Sequence, residues 1–326
     1  MSPQTFMNPQ LEEGPDPWVL RHSDGTYYLT FTLRDRIELR RSTSLTGLAA
    51  AEPKVIWKPE PGGRYSYNLW APELHRLDDK WYIYYTANDG AGGDDTRRIC
   101  VLEQAAADPL EDGWIFKGAV NTAYPGLDGT VFRHRGELYF FYSGYGYFPD
   151  YGSAIYGARM VNPWTIQSPD VLISAPTADW EKQGGMAINE GPVFLERNGR
   201  IHLIFSASAT WSDDYCLGMN SIRETEDLLD PSAWEKHQGA VFAKHPANRV
   251  FAPGHNSFTI SSDGKEDWIV YHAYSYSERE QSRETGSKRS MRIQKFRWNA
   301  DGTSDFGVPC PAGKAFPVPS GEYRTD

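Results

Sequence analysis

Residues able to move protons recur at one kind of place in this sequence. Asp16 stands in Gly14-Pro-Asp-Pro-Trp18, Asp128 in Leu127-Asp-Gly-Thr130, Glu190 in Asn189-Glu-Gly-Pro192 and His255 in Gly254-His-Asn-Ser257. Asp, Gly and Pro are also ordinary turn residues, and any one of these motifs alone reads as a turn. Their recurrence at matched positions changes that reading. Carboxylates that converge out of water repel one another and are costly to bury. The repulsion raises at least one pKa, so that one acid keeps its proton near neutrality while another stays charged. Such a pair hydrolyses glycosidic bonds: one carboxyl protonates the leaving oxygen and the other activates water or attacks. Acids carried by different elements across a channel favour the wider spacing, which leaves room for water and inverts the anomeric centre.

The elements that must position these residues form a repeat. A short strand, a turn with Gly or Asp, and an aromatic-rich strand occur five times, the second strands covering 26–32, 80–86, 137–143, 200–206 and 267–273. Each pair reads as a hairpin from its turn chemistry and apolar alternation. Third strands are expected at 37–41, 98–104, 154–160, 215–221 and 289–296, and outer strands at 55–58, 114–117, 171–174, 241–243 and 295–299. Five units of four strands predict an all-β, five-bladed β-propeller with a central pocket, the whole of residues 1–326 forming one catalytic domain. A sandwich containing five hairpins is the competing fold. In a propeller the first strand of each blade is innermost, so the heads of the repeats meet at the axis. The heads are Asp16, Ala71 (with Glu73 two residues on), Asp128, Glu190 and His255.

Composition narrows the partners. The net charge of −10 argues against nucleic acid, and the basic residues between Arg283 and Arg292 alternate with Glu and Ser. The chain holds 11 Trp, 19 Tyr and 15 Phe, which suit pleated sheet and also sugar-stacking walls. The three cysteines follow no metal or disulfide spacing. The N-terminus lacks a signal-peptide core and no run has the length of a membrane-spanning helix. A cytoplasmic protein is expected, with a secreted one trimmed of its signal as the alternative.

On these residues the chain resembles glycoside hydrolase family 43. The motifs are Asp16-Pro-Trp-Val, Asn68-Leu-Trp-Ala-Pro-Glu-Leu-His75, Leu127-Asp-Gly-Thr, Asn189-Glu-Gly-Pro and Gly254-His-Asn-Ser, in order along nearly the whole chain. The resemblance implies Asp16 as general base, Glu190 as general acid, and Asp128 as the residue that orients Glu190 and holds its pKa up. It implies that His255 sits on the channel axis, touching substrate or coordinating an ion, with calcium as the ion. Trp70 would form part of the sugar wall. Arg289 would contact the sugar, with Arg283 and Arg292 as rivals in register. Glu73 is expected to serve structure.

The same resemblance implies an inverting enzyme that releases L-arabinofuranose from α-L-arabinofuranosides or arabino-oligosaccharides. A β-D-xylosidase or an endo-arabinanase of the same family is the alternative. A retaining fructan hydrolase would open with a different motif, and a non-catalytic sugar-binding propeller would need no converging acids. Residues 88–97 and 145–152, which follow second strands, are expected at the pocket rim.

Overall fold

The hairpin turns have the chemistry the repeat requires. Two-residue turns that match strand twist need positive φ at both central residues. Asp78 and Asp79 (φ 46° and 62°), Arg135 and Gly136 (50° and 83°), and Asn198 and Gly199 (52° and 74°) supply it. In a computed structural model that describes residues 4–147, 150–167, 169–280 and 288–322, these turns join the inner two strands of blades 2, 3 and 4.

Every blade is an antiparallel sheet built from consecutive chain. Blade 1 comprises Trp18–Arg21, Tyr27–Thr30, Ile37–Ser42 and Lys54–Trp57; blade 2 comprises Tyr67–Leu77, Lys80–Asn88, Arg98–Gln104 and Ile115–Ala119. Blade 3 runs Gly126–His134, Glu137–Gly144 and Ala154–Asn162, whose outer edge pairs with both Thr165–Ile166 and Val171–Ser174. Blade 4 comprises Asn189–Arg197, Arg200–Ala207, Cys216–Arg223 and Glu235–Lys236. Blade 5 comprises Phe251–Ile260, Asp267–Tyr274, Ser290–Trp298 and Ser304–Asp305.

Two outer strands depart from expectation. In blade 4 the edge is Glu235–Lys236, and 241–243 keeps only a bridge between Phe242 and Leu217. In blade 5 residues 295–298 complete the third strand, and the chain turns at Asn299–Thr303 to lay Ser304–Asp305 beside it. Asp301 caps that turn by accepting from the Thr303 N–H and hydroxyl, which outer-strand apolarity does not reveal.

Strand alternation sends successive side chains to opposite sheet faces, so each blade packs on two neighbours. In the second strand of blade 2, Trp81, Ile83 and Tyr85 face blade 1, whereas Tyr82 and Tyr84 face blade 3. The other junctions bury Phe141 against Phe205, Ile204 against Ile269, and Leu29 with Val270. The ring closes where blade 5 meets blade 1. Ser257 Oγ accepts from the Val19 N–H and donates to the Pro17 carbonyl. The N-terminal strand Thr5–Met7 pairs with Ala315–Pro317, and the Asn8 side chain brackets both backbone groups of Ile293. Among the described residues no helix is long and apolar enough to cross a membrane.

Candidate active site

At the head of each inner strand one residue of left-handed conformation bends the chain toward the axis, and blades 2 and 5 hold a second, Asn68 and Ala252, three residues earlier. The five are Asp16 (φ 55°), Ala71 (42°), Asp128 (54°), Gly191 (56°) and His255 (44°). In blades 2 to 5 the ladder register slips at this residue, as a bulge requires. The N–H of each is caught by a side chain from the second strand of the preceding blade or, for Thr32, from just past its end. Ala71 donates to Thr32 Oγ1, Asp128 to Thr86 Oγ1, Gly191 to Ser143 Oγ, His255 to Ser206 Oγ, and Asp16 to His272 Nδ1. The equivalent of Asp16 and Asp128 in blade 4 is therefore Gly191, not Glu190. Glu190 stands one residue earlier, still in register opposite Ser206. Glycine is needed at 191 because the backbone is left-handed there and a Cβ would lie 3.4 Å from His255 Nδ1.

These bends open a cavity of about 400 Å³ at the axis. All six residues singled out from the sequence line it: Asp16, Trp70, Asp128, Glu190, His255 and Arg289. Residues 88–97 contribute Asp94, and 145–152 contribute Tyr145 and Gly152, with 148 and 149 outside the described residues. Arg34, Met186 and Trp211 also line the wall and were not anticipated. Of the rivals to Arg289, Arg283 lies outside the described residues. Arg292 is fully buried in blade 5, bonded to Ser290 and Ser275.

The carboxyl groups sit in unlike surroundings. Asp16 receives Thr32 Oγ1 on Oδ2 at 2.7 Å and Arg289 on Oδ1 at 2.5 Å, with His255 Nδ1 3.5 Å away. Burial acts upward on its pKa, but Arg289 first and then His255 hold it well below the usual range. Glu190 is pushed the other way, to about 7, by burial first. Tyr215, whose hydroxyl donates to Oε1 at 2.7 Å, pulls it down, and the charge of Asp16 pushes it up. Asp128 is raised well above the carboxylate range by burial and by the charges of Glu190, Asp16 and Glu73, while its Oδ2 accepts the Gly191 N–H at 3.2 Å. Burial lowers His255 and favours its neutral form.

Around this centre, Trp70 carries the Arg97 guanidinium 3.5 Å above its ring, and Asp94 pins Arg97 through Nε. Glu73 is buried, hydrogen-bonded to His75 Nε2 at 2.9 Å, and does not line the cavity. Asp128, Glu190 and His255 can each aim one donor atom so that all lie within 4.8 Å of one another. Tyr215 and His272 were missed in the sequence. The signal for the ring of acceptors was present in Thr32, Thr86, Ser143 and Ser206, the last residues of four repeats of the second strand.

Known proteins share this sequence pattern and this fold. The family model for glycosyl hydrolases family 43 matches residues 6–304. An extracellular exo-α-(1→5)-L-arabinofuranosidase of Streptomyces avermitilis is 41% identical over 95% of this chain, which spans 64% of that protein's length. The enzyme of the same description from Streptomyces chartreusis is 42% identical, over 85% of this chain and 84% of its own. The crystal structure of an α-L-arabinofuranosidase from Lactobacillus brevis superposes with a TM-score of 0.89 at 38% identity, covering 95% and 98% of the two chains. With five blades, an acid-lined axial cavity and a match to the family model over nearly its full length, the chain belongs to glycosyl hydrolases family 43.

Proposed function

We propose that this protein is an inverting exo-α-L-arabinofuranosidase in which residues 1–326 act as one catalytic propeller. The observation that carries the reading is the opposed pair Asp16 and Glu190. One carboxyl is held charged by Arg289 and the other is held near a pKa of 7 by burial, in the same cavity. That separation divides a general base from a general acid. Asp16 takes a proton from water as it attacks the anomeric carbon, and Glu190 gives its proton to the departing glycosidic oxygen. The product sugar leaves with inverted configuration, and solvent returns the two groups to their starting protonation states. Asp128 supports Glu190 through the backbone: its Oδ2 holds the N–H of the next residue, Gly191.

Arg289 and Trp70 contact the sugar in this reading, Arg289 while also orienting Asp16. The arabinose specificity rests on the names of the three relatives above and the exo action on those of the two Streptomyces enzymes; a β-D-xylosidase or endo-arabinanase is the alternative. The three cysteines are free, as a reducing compartment allows, whereas the Streptomyces relatives are named extracellular; the chemistry proposed runs in either place.

The axial donor set does not fit a resident calcium. Calcium takes six to eight ligands, oxygens of carboxylates, carbonyls and water, and an imidazole nitrogen is not among them. Here Asp128, Glu190 and His255 offer two carboxyl groups and one imidazole nitrogen, and a cation on Glu190 would displace the proton the reaction uses. No step is assigned to an ion.

The test is turnover of aryl α-L-arabinofuranoside against aryl β-D-xyloside, with the first-formed anomer followed by proton NMR. Faster release of arabinose with inversion supports the reading. Retention, or absence of turnover on both substrates, overturns it.

A further inference from the structure

Four of the five blade junctions use a hydroxyl to catch the left-handed N–H of the next blade, and one uses an imidazole. The exception is the junction that carries Asp16, where His272 Nδ1 accepts the Asp16 N–H at 3.1 Å. We propose that His272 is a positioning residue for Asp16, holding its backbone in the bent conformation without delivering a proton to its carboxylate. The inference rests on the role of Asp16 as base.

The difference between the two acceptors is chemical. A Ser or Thr hydroxyl accepts one hydrogen bond and still has a proton to donate. Thr32 does both: it accepts the Ala71 N–H at 2.7 Å and donates to Asp16 Oδ2 at 2.7 Å. Asp16 already receives Arg289 on its other oxygen. His272 Nδ1 lies 3.3 Å from that same Oδ1. A hydroxyl at this junction would find a carboxylate within reach and add a third donor, drawing electron density from the group that must take a proton from water. An imidazole nitrogen whose lone pair is engaged with a backbone N–H has no proton to give. The tautomer follows, with the proton on Nε2.

The ring is held where it is needed. His272 is fully buried, stacks on Tyr215 at 5.6 Å with 3° between planes, and lies 6.1 Å from the His255 ring. Burial pushes its pKa down to about 4 and keeps the accepting form in place at neutral pH. Tyr215 holds Glu190 from its hydroxyl end, so one stacked pair fixes the carriers of both carboxyl groups.

The experiment compares full-length wild type with His272→Ala and His272→Asn, the asparagine oxygen being able to accept where Nδ1 does. On aryl α-L-arabinofuranoside, His272→Ala is expected to lose ~10²-fold in kcat, the scale of a misplacement of about 1 Å, with KM nearly unchanged. His272→Asn is expected to recover about tenfold of that loss. Equal kcat loss in both variants, or loss that follows a fall in Tm, overturns the proposal. Independently of turnover and of variant folding, the imidazole ¹⁵N spectrum of wild type is expected to show His272 protonated on Nε2 at neutral pH. Protonation on Nδ1 overturns the proposal, while a wild type without turnover refutes the glycosidase reading and leaves this spectrum to decide the inference.

Discussion

The Tyr215 hydroxyl donates to Glu190 Oε1 at 2.7 Å and so opposes the burial that raises this carboxyl group. A donor to a carboxylate favours its charged form, and the phenol itself is held protonated because burial and the Glu190 charge push its own pKa well up. Tyr215→Phe therefore moves the Glu190 pKa further above 7. The alkaline limb of the kcat/KM profile is expected to shift to higher pH, by an amount a pH–rate series with the two proteins measures directly. A shift to lower pH would contradict the assignment of Glu190 as the acid.

Asp16 is held charged chiefly by Arg289, so its neutralisation and the loss of its partner should differ in kind. Asp16→Asn is expected to lower kcat by ~10²–10⁴-fold at every pH, as loss of a general base does. Arg289→Met should instead let burial raise the Asp16 pKa, so that activity is lost on the acid side at a higher pH than in wild type. Circular dichroism melts of both variants separate these effects from unfolding.

In the proposed mechanism Glu190→Gln removes the proton donor but keeps the shape. The loss in kcat should be larger for substrates with poor leaving groups than for activated aryl glycosides, which need less protonation. Stability should respond with a definite sign. A carboxyl whose folded pKa is about 7 against an ordinary value of 4.5 destabilises the folded state progressively as pH rises through that window. The variant is therefore expected to gain in Tm relative to wild type at pH 8 and not at pH 4, measured by differential scanning calorimetry.

Gly191→Ala tests the bend itself. A side chain in the left-handed conformation costs ~1–2 kcal/mol, and the new Cβ would press on the His255 ring, 3.4 Å away at Nδ1. Urea unfolding should register that loss, and kcat should fall with it because Glu190 and His255 both move.

At the blade interfaces the expected effect is on stability alone. Phe140 is fully buried where blade 3 meets blade 2 and is not among the residues that line the cavity. Phe140→Ala should cost ~3–5 kcal/mol in denaturant unfolding, with kcat of the folded fraction near wild type.

The sequence by itself determined the repeat and, through it, the fold. Turn pairs such as Asn198-Gly199 and the aromatic strands that follow them are local features, set by φ preference and period-two burial, and they read directly from neighbouring residues. The heads of the repeats, and so the shared location of Asp16, Asp128, Glu190 and His255, follow from strand order alone. Outer strands were less legible because Glu235–Lys236 and Ser304–Asp305 have two residues each and no apolar pattern. Composition and spacing do not carry the electrostatic difference between Asp16 and Glu190, which only the tertiary structure sets. Those pKa values depend on partners far apart in the chain: Arg289 reaches Asp16 across the closure of the ring, and Tyr215 reaches Glu190 from just before the third strand of its blade. It also decided that Gly191, one residue beyond Glu190, is the true equivalent of Asp16, because a one-residue slip is set by the hydrogen bond to Ser143 and leaves no trace in composition. The heads Asp16 and Glu190 look alike in sequence, and long-range electrostatics makes them opposites.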